Sequence, residues 1–329
     1  VRTHQLLRTA TCTRQLLNCV SSHPRFMNDQ RVLVTGGAGF IGGALVDSLH
    51  GEAAIRVLDI DAEPDPRDDI AVIPGDVREY DAVATAVDGV DTVFHQAALV
   101  SVADSIERPI ASHRTNVMGT LNVLEAARRH DARVVVASSA AIYGDPDAVP
   151  VSESASLDPT SPYGLDKLAV DHFTRLYHDL YDVETVTLRY FNVYGPNQTG
   201  GDYAGVIDVF ADQARNGDPI TVHGDGQQTR DFVHVDDVVR ANRLAARTEH
   251  VGRAYNVGTG EAVTIRDLAE RIRERVGSDS EIVHTTARDG DIRHSRADIS
   301  RARDRLEYDV TVGLDAGLDT AVPAAPESE

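Results

Sequence analysis

At 329 residues the chain can bury a sizeable core, as one large domain or two coupled ones. Its formal net charge of −20 argues against nucleic acid as a partner, because neutralising phosphates takes basic clusters. No apolar run approaches the ~18 residues that a bilayer span requires, so no membrane partner is expected.

Residues 1–26 stand apart from the rest. They hold Arg2, Arg8, Arg14 and Arg25, no acidic residue, and both cysteines, Cys12 and Cys19. An organellar transit peptide, a disordered basic arm and a translated extension ahead of a natural start at Met27 all fit this composition. The third is the expectation adopted, with 1–26 unstructured. The body then carries 28 basic against 52 acidic residues and no cysteine, which suits a reducing cytoplasm. Its bases are almost all arginine. This pattern suits a salt-rich cytoplasm, where a solvated anionic surface keeps proteins soluble, and equally a GC-rich genome.

From Arg31 the chain alternates short apolar runs with amphipathic stretches. Arg31–Thr35 (RVLVT) reads as a strand and Phe40–Leu49 as a helix. Ile55–Asp59, Asp91–Phe94 and Arg133–Ser138 read as further strands, with a helix over Gly119–Arg129. Pro162–Leu180 is a long helix and Thr185–Arg189 another strand. Continuous apolar strands alternating with helices predict an α/β fold, a doubly wound parallel sheet covered on both faces. After about residue 190 the rhythm loosens, with one clear helix over Thr264–Val276. The expected division is a dinucleotide-binding domain over 27–190, a smaller partly interleaved α/β lobe over 191–320, and a flexible tail over 321–329.

Four features carry chemistry. The first strand ends in TGGAGFIG, where Gly36, Gly39 and Gly42 allow a tight turn, close approach of a pyrophosphate, and close packing of the next helix. The phosphates would meet the helix N-terminus at Phe40 and Ile41. Asp59, at the end of the second strand, can accept from both ribose hydroxyls and would repel a 2′-phosphate, so NAD is favoured over NADP. Asp61 competes for that role. Tyr163 and Lys167 lie four apart on a helix, hence on one face, where an ammonium would stabilise tyrosinate and lower the phenol pKa. Lys167 is the only lysine of the chain. With ten tyrosines in 329 residues, chance gives this spacing about 3% of the time, so the pairing is informative. Ser138 and Ser139 end the RVVVAS strand, at the sheet edge where ligands bind.

Together these residues resemble the extended short-chain dehydrogenase/reductase family, in its NAD-dependent nucleotide-sugar epimerase/dehydratase branch. The resemblance runs from about Arg31 to Asp319, through TGGAGFIG, GDVRE (Gly75–Glu79), FHQAA (Phe94–Ala98), NVMGT (Asn116–Thr120), SSAAIYG (Ser138–Gly144), PYGLDK, RYFNVYGP (Arg189–Pro196), GDGQQTRDFVHVDD (Gly224–Asp237) and RDGDIRHSRAD (Arg288–Asp298). It implies a Rossmann-type fold and NAD as cofactor. By the same resemblance, Asp76 and Val77 flank the adenine, Ala97 and Ala98 line the cofactor channel, and Asn116 helps order the site. Ser139, Tyr163 and Lys167 match the catalytic group. Asn192, Arg230 and Arg288 match residues holding a nucleotide diphosphate, Asp291 one that contacts ribose, and His223 stands where an aromatic against the uracil is usual. Guanidinium forks suit phosphate oxygens.

Departures narrow the expectation. Relatives that dehydrate or decarboxylate carry acids just after the catalytic hydroxyl; here the positions are Ala140 and Ala141, which cannot transfer protons. Plain redox epimerisation at C4 of a UDP-sugar is therefore expected. Ser295 stands where relatives carry either a bulky tyrosine or a small residue, and its small size extends the expectation from UDP-glucose/UDP-galactose to the N-acetylated pair. A homodimer is implied, paired through the Tyr163 helix and the helix near Asn116–Arg129. The alternatives are another NAD-linked nucleotide-sugar enzyme (a UDP-glucuronate epimerase, reductase or dehydratase) or a non-catalytic NAD-binding protein on the same fold.

Overall fold

The computed structural model describes residues 30–198, 205–287 and 291–323. The expectations for 1–26, for both cysteines, for Arg288 and for the tail from 324 onward lie outside the described residues.

The first half builds strands β1 (Arg31–Thr35), β2 (Ala54–Asp59), β3 (Ile70–Pro74), β4 (Thr92–His95), β5 (Arg133–Ser139) and β6 (Thr185–Tyr190). Short strands β7 (Asn192–Tyr194), β8 (Ile220–His223), β9 (Thr229–Arg230) and β10 (Phe232–His234) follow, then β11 (Arg253–Val257), β12 (Val263–Thr264) and β13 (Ile282–Thr285). Seven of these form one parallel sheet in the order β11-β6-β5-β4-β1-β2-β3. Successive strands move outward on one side from β1 to β3, then start again beside β1 with β4. The order reverses between β1 and β4, so a crevice opens at their carboxyl ends, where such sheets bind ligands.

Alternation along β1 explains the two layers. Val32 and Val34 join a core with Leu45 and Leu49 of α1 (Phe40–Leu49), whereas Leu33 faces the opposite core. That second core holds Val83 of α2 (Tyr80–Val87), Val123 and Leu124 of α5 (Gly119–His130), and Val170 of α6 (Pro162–Tyr181). Each fully buried aliphatic side chain of this kind contributes roughly 2 kcal/mol. Between α2 and α5 come two short helices, α3 (Val102–Glu107) and α4 (Pro109–His113), and a single π-turn over Arg114–Met118. Helix α6 starts where the Ser161 hydroxyl accepts from the Gly164 amide and Pro162 takes the first turn. It ends at Asp182, whose φ of 56° is left-handed.

The smaller lobe packs α7 (Val206–Asn216) and α9 (Ile265–Val276) against β8, around Ile207, Phe210, Val222 and Leu268. Two elements beyond residue 190 belong to the main sheet: β11 is its edge strand, and α8 (Val235–Ala245) packs on α1. The chain thus returns to the main sheet after forming part of the smaller lobe.

Candidate active site

The glycine turn joins β1 to α1 at the crevice. Gly36 has φ +71°, and a side chain there would bring a Cβ to 2.7 Å from the Ala97 amide nitrogen. A Cβ on Gly42 would lie 2.0 Å from the Gly36 carbonyl oxygen. Both glycines are therefore required by the turn itself. Gly39 differs: a Cβ there would meet only the Gly36 oxygen, at 3.3 Å. Its outer face opens into the cleft, beside the start of α1. Asp59 closes the far side, its Oδ2 accepting from the Ala38 amide at 3.0 Å and its Oδ1 from the Asp61 amide at 3.1 Å. The structure thus ties Asp59 to the glycine turn, with Asp61 beside it in the cleft wall.

The cleft has a volume of about 800 Å³. Gly36, Gly39, Phe40, Ile41 and Gly42 form one end, with Asp59, Asp76 and Val77 beyond them. Ala97 and Ala98 form its floor, and Ser138, Ser139, Tyr163 and Lys167 its other end. The open Gly39 face, the helix start and the Asp59 carboxylate fit a dinucleotide.

Ser139 is the last residue of β5, and its Oγ accepts from the Ala141 amide at 3.1 Å. The Lys167 ammonium, almost wholly buried, donates to the Ala137 carbonyl at 2.8 Å and lies 6.0 Å from the centre of the Tyr163 ring. Burial pushes this ammonium down to about 8, against an opposing pull from the Asp166 charge. The Tyr163 phenol corrects the expectation from spacing. Burial raises it above its ordinary value, and the hydrogen bond with Ser139 only partly offsets that. Loss of water around the phenolate sets this direction.

Behind these groups lies a layer of buried polar side chains. Asn116, on the π-turn, accepts from the Leu99 amide at 2.8 Å and donates to the Leu99 carbonyl at 3.0 Å. It does not line the cleft but fixes a residue that does. The Tyr163 amide, unpaired within its own helix, donates to Ser105 Oγ at 3.1 Å. His95 sits between the hydroxyls of Thr35 and Thr120, at 2.7 and 3.0 Å, and burial lowers it to about 3, so it is neutral.

Of the other described residues expected to hold substrate none lines this cleft: Asn192 lies on β7, Arg230 on β9 with Asp291 and Ser295 beside it, and His223 ends β8. Asn192 lies between Phe191 and Val193, both of which line the cleft, and its Nδ2 donates to the Asp231 carbonyl at 3.0 Å. The neighbouring Arg230 bonds the Asp291 carboxylate and donates to the Thr229 carbonyl at 2.8 Å. Burial lowers its pKa, while Asp291 raises it. The Ser295 amide donates to the Thr229 carbonyl at 3.1 Å, which sets residue 295 beside the same strand. His223 is held by the Thr286 carbonyl and the Thr285 hydroxyl, at 3.2 and 3.1 Å. Sequence reasoning missed Gln96 and Tyr190, which line the cleft and share a hydrogen bond of 3.2 Å. It also missed Asp166 and Ser112, which touch each other across 54 residues of chain. No local spacing signals such a pair.

A family model, the NAD dependent epimerase/dehydratase family, matches residues 32–258. The chain is 36% identical over 304 residues to the UDP-glucose 4-epimerase of Mycolicibacterium smegmatis, covering 89% of this chain and 97% of that one. Among solved structures, it is similar to the UDP-N-acetylglucosamine 4-epimerase of Methanobrevibacter ruminantium, in complex with UDP-N-acetylmuramic acid. The TM-score is 0.86 at 33% identity, with 90% and 98% of the two chains covered. It is also similar to the UDP-glucose 4-epimerase of Thermus thermophilus in complex with NAD, with a TM-score of 0.81 at 35% identity, covering 89% and 98%.

Proposed function

The chain belongs to the NAD-dependent epimerase/dehydratase family, and from that premise we propose that it is a 4-epimerase of UDP-sugars. The observation that carries this reading is convergence: Ser139, Tyr163 and Lys167 meet at one end of the cleft whose other end is the glycine turn. Bound NAD supplies the two-electron acceptor, and later donor, for C4 of the sugar. Tyr163 takes the C4 hydroxyl proton, with Ser139 sharing it and Lys167 stabilising the phenolate. Between the two proton transfers the sugar is a 4-ketone, tethered through its diphosphate by Asn192, Arg230 and Arg288, with ribose at Asp291 and the base near His223. A hexose held only through its nucleotide is free to present its other face to Tyr163, which then returns the proton. Ala140 and Ala141 add no proton-transfer group, which favours epimerisation over dehydration or decarboxylation.

Asp76, Val77, Ala97, Ala98 and Ser138 hold the cofactor with the glycine turn in this reading. The small Ser295 leaves room for a 2-acetamido group. A body without cysteine suits the cytoplasm, and its acidic, arginine-rich composition suits high salt. Among the described residues no helix is long and apolar enough to cross a membrane. In this reading the enzyme pairs as a homodimer through α6 and the helix near Asn116–Arg129.

Incubating the protein with UDP-galactose and UDP-GalNAc, and separating the products, tests the assignment. Conversion of both is expected. Tyr163→Phe should slow turnover by roughly 10²–10⁴ with its thermal melt unchanged. Net accumulation of reduced cofactor would mark a dehydrogenase instead.

A further inference from the structure

One carboxyl group takes no part in the proposed mechanism, yet three chain segments meet on it. Asp231 stands between β9 and β10 and is wholly buried. Its Oδ1 accepts from the Thr259 amide at 2.8 Å and from the Thr259 hydroxyl at 2.7 Å. Its Oδ2 accepts from the Gly260 amide at 2.9 Å and from the Ala297 amide at 3.0 Å. The Asp231 carbonyl accepts twice more, from the amide and the side chain of Asn192, each at 3.0 Å. The fit is close: a Cβ on Gly258 would come to 2.9 Å from Oδ2.

We propose that Asp231 is a positioning residue for the nucleotide: its carboxylate sets the segment of Asp291 and Ser295 against Arg230 and Asn192 before substrate arrives. This role rests on the epimerase reading, which gives those residues to the nucleotide. A buried carboxylate is costly unless its oxygens are satisfied, and an apolar side chain would fill the space without that cost. The neighbouring Arg230 is turned to Asp291, and among the described residues no cation pairs with Asp231. Burial raises this carboxyl above its ordinary value, but the four donors favour the carboxylate, and a proton on it would face them. What the donors hold explains the cost. Residues 291–299 form no helix or strand beyond single bridges at His294 and Ala297, so tertiary bonds set their place. The Ala297 amide on Asp231 and the Ser295 amide on the Thr229 carbonyl fix this segment beside β9, where Asp291 reaches Arg230. Thr259 and Gly260 tie the same carboxylate to the loop after β11, the edge strand of the main sheet. Groups placed in advance spare the ordering that binding would otherwise cost.

Calorimetric titration of the full chain with UDP and, separately, with NAD tests this role. An amide at residue 231 keeps the shape, but in either orientation its N–H faces a backbone N–H. Asp231→Asn should therefore weaken UDP binding by roughly tenfold and leave NAD binding unchanged. KM for UDP-galactose should rise by a like factor at constant kcat. If Asp231→Asn does not fold, Thr259→Val, which removes one of the four bonds, takes its place. It should weaken UDP binding by roughly threefold, whereas Thr259→Ser, which keeps the hydroxyl, should match the wild type. Unchanged UDP affinity in the folded variant overturns the proposal. So does an equal loss of UDP and NAD affinity, which would mark a role in the fold alone. A wild type that binds NAD but not UDP defeats the nucleotide reading of this lobe, and the positioning role with it.

Discussion

In the proposed mechanism Lys167 serves chemistry at the expense of stability. Its folded value of about 8 lies below the ordinary 10.5 because burial removes its water. Below pH 8 both folded and unfolded chains hold the proton. Between 8 and 10.5 the unfolded chain still holds it while the folded one has released it, so this group stabilises the native state as pH rises through that window. The full change is about 3 kcal/mol. The unfolding free energy of the wild type, measured in urea, should therefore rise by about that much relative to Lys167→Met between pH 8 and 10.5. A difference that stays flat would mean that the ammonium is not desolvated in the folded protein. The placement of Tyr163, Lys167 and Ser139 in one cleft was legible because each rests on local spacing: four residues on a helix, or the end of a strand. The raised phenol was not legible, since spacing says nothing about how much water burial removes.

The glycine turn makes the corresponding point for elements. Three glycines at equal spacing look equivalent in the sequence, but the folded turn gives them different tasks. Gly42→Ala would set a Cβ 2.0 Å from the Gly36 oxygen, so α1 must move off the sheet. A fall in stability of about 2 kcal/mol is expected, together with loss of NAD binding. Gly39→Ala places its methyl in the cleft, so its melt should match the wild type while NAD affinity, measured by calorimetry, drops at least tenfold. Equal melts for the two variants would remove the distinction. Strands with continuous apolar runs were readable, among them β1, β5 and β6. β3 was not: it is an edge strand, half exposed, and its five residues follow an acid-rich loop. β11 (RAYNV) was not either, because its buried Asn256 breaks the apolar pattern. That amide is satisfied by the carbonyls of Val151 and Asp298, residues far away in the chain.

For the whole molecule, the exposed apolar side chains are unevenly spread. Of the ten large apolar side chains at least 45% exposed among the described residues, Val102, Ile106, Ile110, Met118, Leu165, Leu176, Leu180 and Tyr181 lie on α3, α4, the π-turn or α6, and only Ile60 and Val100 lie elsewhere. Concentration on one helical region is what a subunit contact requires. Leu180→Asp together with Leu176→Asp should shift the protein from dimer to monomer in sedimentation velocity; a wild type already monomeric would refute the pairing. Sequence by itself determined the alternation of strand and helix, the glycine turn and the Tyr163–Lys167 face, because each is encoded over a few neighbouring residues. Tertiary structure alone decided the rest: that β11 completes the main sheet, that Arg230 meets Asp291, and that Ser112 bonds Asp166. Those contacts join residues tens of positions apart, and only the sheet order that brings the strands' ends together sets which of them meet.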